Sequence, residues 1–332
     1  MSDSIVIFGS GLLGRYLLAG LRKQGKKPLC FAVTKPVAKE VDGLQVCSLE
    51  HAINEHPDAL FIVALFEASK MVERLQRAGV NVIEFSKYAR QHPDNLLPYL
   101  ALDVTNNISP EWVMLFDDQE SINEYNGQVA WRTTLDKKDL PPEHEIEELY
   151  FAPDLITFGD DEVFLDCGAY DGDTIASFRK RSNGQVIAVE PDPDNFEKLK
   201  ENYPDVIAYK CAVGARHEQL TFKAGDGPVS CFGGDSVVEC VTIDELLDGH
   251  RVTFIKMDIE GAELDALIGA RETIINQLPV LAICLYHKPD DIWEIPKYIR
   301  SLSDQYNLYL RRYAEGCWEE VCYAIPKRLK SD

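Results

Sequence analysis

Short runs of consecutive apolar residues alternate with amphipathic stretches from Ile5 to Phe85, a rhythm that predicts strands crossing over through helices into a parallel sheet. The predicted strands lie at 5–8, 29–33, 59–65 and 80–85, and the predicted helices at 11–24 and 69–78. The rhythm lapses over 88–158, where two prolines at 141 and 142 and an acidic run from Glu143 to Glu148 read as a helical connector or lid. It restarts at Val163 and continues through strands at 185–189, 206–211, 254–257 and 280–285. Two strand-like runs, 307–313 and 319–325, flank Glu315-Gly316-Cys317 and predict a closing hairpin. The expected class is α/β, with two Rossmann-like, doubly wound sheets. The expected domains are 1–88 (Rossmann-like), 89–158 (connector) and 159–332.

A chain of 332 residues with 45% hydrophobic content can build two cores. No apolar run of membrane-spanning length occurs and the first residues lack the order of a signal peptide, so a cytoplasmic location without membrane insertion is expected. The nine cysteines are scattered, with no metal-site spacing, and read as reduced thiols. A formal charge of -21 argues against a nucleic-acid partner. No heptad or sustained apolar stripe sets an oligomeric state.

Two glycine-rich turns follow predicted strands. In the first, Gly9, Gly11 and Gly14 form a GxGxxG that opens a helix, where backbone N–H groups can receive a pyrophosphate. The ribose-binding acid that a NAD site needs about 20 residues later is missing, because the second strand runs into Thr34 and Lys35. Lys35 would tolerate a 2′-phosphate, so an NADP-dependent reductase is one alternative. A glycine turn serving only close strand-helix packing is another.

The second turn is Asp166-Cys167-Gly168-Ala169-Tyr170-Asp171-Gly172-Asp173-Thr174. Asp166, Asp171 and Asp173 lie where a pyrophosphate would have to sit, and like charges that close repel strongly. The same acids attract a ligand carrying an ammonium and a sulfonium, as S-adenosylmethionine does. Glu190 ends the next strand, where a carboxylate can accept from both ribose hydroxyls. A third strand delivers Asp258 and Glu260 to the same edge, facing the methyl group and its acceptor, while Glu263 reads as a favourable first-turn charge of the following helix. His287, after the next strand, has an unperturbed pKa near 6.5, suited to removing a hydroxyl proton. His287 and Asp258 are the candidate catalytic residues. A loop-fixing bond from His287 to Asp290 or Asp291 is the structural alternative. Asp258, Glu260 and His287 lack a dedicated ligand spacing, so no metal is expected.

These segments together resemble the FkbM family of S-adenosylmethionine-dependent methyltransferases, over about 151–326. The most specific piece runs from Phe254 through Lys256-Met257-Asp258-Ile259-Glu260-Gly261-Ala262-Glu263 to Ala270. It is supported by the 166–174 turn, Glu190-Pro191-Asp192, Leu285-Tyr286-His287-Lys288-Pro289 and the hairpin. The resemblance implies a seven-stranded class I methyltransferase sheet with an antiparallel final strand. It also implies S-adenosylmethionine held by the Gly168 turn and Glu190, and O-methylation of a sugar, glycan or natural product. A non-catalytic module that binds a nucleotide-sugar or cofactor is the remaining alternative. Aromatic residues from Trp112 to Trp131, with Trp293 and Tyr298, are candidates to stack on the acceptor.

Overall fold

The computed structural model describes residues 4–65, 67–92, 110–134, 136–159, 161–223, 231–232 and 236–327. Part of the connector expected over 89–158 lies outside these residues. The chain divides into two compact units whose segments interleave: Met1–Asn107, Gly127–Pro141 and Ala314–Trp318 in one, Ile108–Asn126, Pro142–Tyr313 and Glu319–Asp332 in the other. Of the stretch expected as a connector, Gly127–Pro141 falls in the first unit with the hairpin tip Ala314–Trp318, and Ile108–Asn126 falls in the second.

The first unit holds a six-stranded sheet in the order Glu40–Val41, Leu44–Ser48, Cys30–Val33, Ile5–Phe8, Leu60–Val63, Val82–Glu84. All neighbours are parallel except Glu40–Val41, which turns back antiparallel on Leu44–Ser48. Strand residues alternate between two faces, as the pleat requires. Ile5, Ile7, Phe31 and Ile62 pack with the helices Leu12–Lys23 and Phe85–Gln91, and Val6, Phe8, Phe61 and Val63 with Leu49–Glu55 and Ser69–Arg77. Both faces are covered, which is why these strands read as continuous apolar runs. The Leu44–Ser48 strand and the helix after it were not expected from the sequence. That strand is buried only at Leu44, so it lacks the apolar run, and the helix is started by Ser48 accepting from the His51 N–H at 3.2 Å.

Within the same unit Glu315 accepts from the N–H groups of Ala68 and Ser69, at 3.0 and 3.2 Å, and so satisfies the start of the Ser69–Arg77 helix. Lys137 pairs with Glu315 at 2.6 Å and with Glu84 at 2.9 Å. Trp131 is buried against Cys317, Leu140 and Trp318, so it serves a core rather than a ligand.

The second unit holds a seven-stranded sheet in the order Tyr306–Arg312, Glu320–Pro326, Val280–Cys284, Phe254–Met257, Val163–Cys167, Gln185–Val189, Ile207–Tyr209. Five strands are parallel, and Glu320–Pro326 inserts antiparallel between Val280–Cys284 and Tyr306–Arg312. This is the α/β architecture with a terminal antiparallel hairpin that the sequence led us to expect. Chain order reverses at Val163–Cys167, flanked on one side by Gln185–Val189 and on the other by Phe254–Met257. A ligand crevice opens beyond the carboxyl ends of strands at such a point. Phe151, Phe158, Phe164, Phe178 and Phe254 pack ring to ring, with Phe164 and Phe254 at the amino-terminal ends of their strands.

The strand expected over 206–211 is shorter, Ile207–Tyr209 in the large sheet, and the chain then enters a separate four-stranded sheet of Ala212–Val213, Glu218–Lys223, Cys231–Phe232 and Ser236–Val241. In the hairpin, buried Arg311 pairs with Asp118 and Asp154 at 2.7 and 2.8 Å, and buried Arg312 with Glu124 at 2.7 Å and Glu143 at 3.2 Å. Acids of the connector thereby find cations on the hairpin.

Candidate active site

The second glycine turn is built by close packing. Gly168 has φ +80, and a Cβ there would fall 1.9 Å from the Asp258 carbonyl oxygen. Gly172 has φ +96, and a Cβ there would strike the Tyr203 ring at 2.2 Å. Only glycine fits both demands. The N–H groups of Gly168 and Ala169 donate to Val189 O at 3.0 and 3.1 Å, and that of Asp258 to Cys167 O at 3.1 Å, so three strand ends meet at the turn. Asp173 accepts from the Thr174 N–H at 2.7 Å and is exposed at the start of the Asp173–Phe178 helix. Asp171 is half-buried, and its carbonyl accepts from Asn202 at 3.0 Å.

Glu190 stands where the sequence put it, at the end of Gln185–Val189, and is 5% exposed. One carboxylate oxygen accepts from the Tyr170 N–H at 2.9 Å and the other from the Asp192 N–H at 2.8 Å. Each oxygen keeps a further lone pair for a ligand. Burial pushes this carboxyl up to about 7 against the two backbone donors.

Asp166 does not point into the turn as a free acid. It is fully buried and lies opposite Lys256 on the neighbouring strand, with the Lys256 Nζ at 3.1 Å. Burial pushes Asp166 up to about 6 while Lys256 opposes the shift. Lys256 stays charged despite its own burial because of Asp166 and Asp258. It also donates to Gly168 O at 2.8 Å, tying the turn to the sheet. The repulsion expected of three acids is therefore that of two, the third being neutralised by a lysine inside an apolar strand.

Asp258, Glu260 and His287 converge beyond the next strand end. The His287 Nε2 lies 3.4 Å from Asp258 Oδ1 and 3.7 Å from Glu260 Oε2. Asp258 also accepts from the hydroxyls of Tyr150 and Tyr286, at 2.7 and 3.1 Å. Burial works against its charge, yet Lys256, His287 and these hydroxyls hold it below the usual carboxylate range. Glu260 has φ +56, a left-handed conformation that non-glycine residues adopt at strained, often functional positions. Burial pushes its carboxyl up to about 7.

Glu263 is the largest departure from the sequence reading. It does begin the Glu263–Ile268 helix, but it is fully buried, and its Oε1 lies 2.8 Å from His287 Nδ1 while accepting from the Ile259 N–H at 2.9 Å. Burial pulls the His287 pKa down, but Glu263, Asp258 and Glu260 outweigh it and push it up to about 9. At neutral pH the imidazole is then a cation rather than the free base assumed from its ordinary pKa. Asp291, expected as a possible partner of His287, instead accepts from the Lys288 N–H at 3.0 Å. Tyr150, Tyr286 and Glu319 also border the cluster and were not singled out from sequence. Burial beside Asp258 pushes Glu319 up to about 7.

The first glycine turn has its own packing logic. Gly9 has φ +104, and a Cβ on Gly14 would fall 2.0 Å from Gly9 O, whereas one on Gly11 meets nothing within 4 Å. Lys35 is exposed. Trp112 and Trp293 stack on each other at 4.8 Å, with Lys297 over the Trp112 ring at 5.0 Å.

Residues 166–313 match the family model described as the methyltransferase FkbM domain. The C-terminal half of the chain carries an FkbM methyltransferase domain. The matched span contains the glycine turn, Glu190 and the Asp258–His287 cluster. Among curated proteins, the hexuronic acid methyltransferase AglP of Haloferax volcanii is 27% identical over 156 residues, 43% of this chain, and the match spans 60% of that relative. Among solved structures, methyltransferase FkbM from Methylobacillus flagellatus KT aligns over 97% of this chain and 90% of its own, with a TM-score of 0.75 and 23% identity. That likeness extends the shared fold beyond the FkbM domain to nearly the whole chain. No helix among the described residues is long and apolar enough to cross a membrane.

Proposed function

We propose that the FkbM domain transfers a methyl group from S-adenosylmethionine to a hydroxyl of a sugar or other polyhydroxylated small molecule or glycan. The observation that carries this reading is the meeting of the Gly168 turn, Glu190 and the Asp258–His287 cluster at the carboxyl ends of adjacent strands. The donor set fits the adenosyl group: Glu190 is a buried carboxylate at ribose position, and the surrounding side chains are acids suited to an ammonium and a sulfonium. When bound, S-adenosylmethionine supplies an electrophilic methyl on positively charged sulfur.

The chain's own residues bind, orient and accept a proton. Glu190, tied to Tyr170 and Asp192, offers both oxygens to the ribose hydroxyls, and Tyr170, Asp171, Asp173 and Thr174 border the rest of the ligand. Asp258, fixed by two tyrosine hydroxyls, and Glu260 face the acceptor, and the proton of its hydroxyl leaves toward the Asp258–Glu260–His287 cluster. Holding both reactants at attack distance lowers the barrier of such a displacement by removing the entropic cost of bringing them together. The hexuronic acid named for the curated relative makes sugars the first acceptors to test. Incubating the protein with methyl-labelled S-adenosylmethionine and a panel of monosaccharides, uronic acids and glycans is expected to give a labelled sugar ether. Label appearing only on protein or on nitrogen would overturn the reading.

A further inference from the structure

The acids around His287 outnumber the cations that face them. Asp258, Glu260 and Glu263 all act on the imidazole electrostatically, and Glu319 joins them from the hairpin. Lys256, which acts on Asp258, is shared with buried Asp166 at 3.1 Å. Glu263 adds an independent observation. It is fully buried, its Oε1 is engaged with Ile259 and His287, and among the described residues its Oε2 has no hydrogen-bond donor. A buried carboxylate oxygen without a donor is costly and calls for an ion or water.

One ligand atom from each of Asp258, Glu263 and His287 lies within 4.8 Å of the others. Atoms bound to one cation at about 2.4 Å can be no more than roughly 4.8 Å apart. We propose that Asp258, Glu263 and His287 bind a divalent cation, which takes the place of the imidazole proton and releases it to solvent, with Glu260 at the edge of the set. Three carboxylates and one imidazole suit a hard cation such as Mn2+, which accepts both oxygen and imidazole nitrogen, better than a thiolate-preferring one. No local motif announces the site because His287 comes from the strand after the one that delivers the acids. The cation's role, holding and polarising the acceptor oxygen, rests on the methyl-transfer reading, whereas its binding does not. The cationic groups of S-adenosylmethionine are the rival for these acids, so the test is made without that ligand.

The full chain is titrated with Mn2+ alone, following free Mn2+ by electron paramagnetic resonance, and the bound ion is examined by electron spin echo modulation. The expected result is about one Mn2+ per chain with nitrogen modulation from an imidazole, and binding weakened at least tenfold in both Glu263→Gln and His287→Gln. The exposed control Glu272→Gln is expected to bind like the parent. Absence of nitrogen modulation in the parent protein overturns the site even if either buried-site variant fails to fold. Weak binding that both variants retain also overturns it, as diffuse attraction to an acidic protein. S-adenosylmethionine binding without Mn2+ binding leaves the methyl-transfer reading standing and removes the cation. Nitrogen-coordinated Mn2+ without adenosyl binding does the reverse.

Discussion

Gly14 and Gly168 are glycines for the same reason, since a Cβ at either would fall within about 2 Å of a backbone oxygen, 2.0 Å from Gly9 O and 1.9 Å from Asp258 O. Around that shared device the two turns diverge. The first ends in a sheet whose neighbouring strand leads to exposed Thr34 and Lys35. The second is bound to its neighbours by Lys256, which reaches Gly168 O, and by Glu190, which accepts from Tyr170. A glycine pattern therefore reports close packing, and the charged groups on the adjacent strand ends report what ligand the packing serves.

The largest effect expected to sharpen this contrast is on stability. Lys256→Met leaves Asp166 buried without its cation and is expected to cost about 3–5 kcal/mol in urea denaturation, with much of the loss recovered in Lys256→Met/Asp166→Leu. A Lys256→Met protein as stable as the parent would mean that the ion pair does not hold the turn. Next in size, Glu190→Ala is expected to weaken adenosyl binding roughly 100-fold, about 2.7 kcal/mol, by removing a charged acceptor of two hydroxyls.

Glu190 also gives the turn a pH signature. Its carboxyl, pushed up to about 7 by burial, is ionised above that pH, so adenosyl affinity is expected to fall as pH drops from 8 to 6, by up to about tenfold per unit below 7. Stability runs the other way. A raised folded-state pKa favours the folded protein fully below the unfolded value, and that contribution is lost as pH rises through about 7. Flat adenosyl affinity across this range would detach Glu190 from the ligand. The smallest effect falls on the first turn, where Gly11→Ala meets open space. It is expected to change stability by no more than about 0.5 kcal/mol and to leave adenosyl affinity unchanged.

Much of the fold was legible because buried parallel strands appear as apolar runs, and Ile5–Phe8, Val163–Cys167, Phe254–Met257 and Val280–Cys284 all show it. Leu44–Ser48 and the small mixed sheet escaped because Leu44–Ser48 is buried only at its first residue and two strands of the small sheet are two residues long. At the site, residues at strand ends were readable from position alone, as with Glu190, Asp258 and Glu260. Pairings across strands were not. Lys256 within an apolar run is the one visible signal of such a pairing, since a lysine there needs a buried acid. Glu263 looked like a helix-start charge because nothing in its own segment announces His287, 24 positions on. Tyr150 and Glu319 come from segments that only the folded sheet brings to Asp258.

The most direct measurement is a calorimetric titration of the full chain with S-adenosylmethionine, S-adenosylhomocysteine, NAD and NADPH, repeated on Glu190→Ala. The account predicts micromolar binding of the two adenosyl ligands, lost in the variant, and none of either dinucleotide. Binding of a dinucleotide alone, unaffected by Glu190→Ala, would contradict it and move the ligand to the first glycine turn.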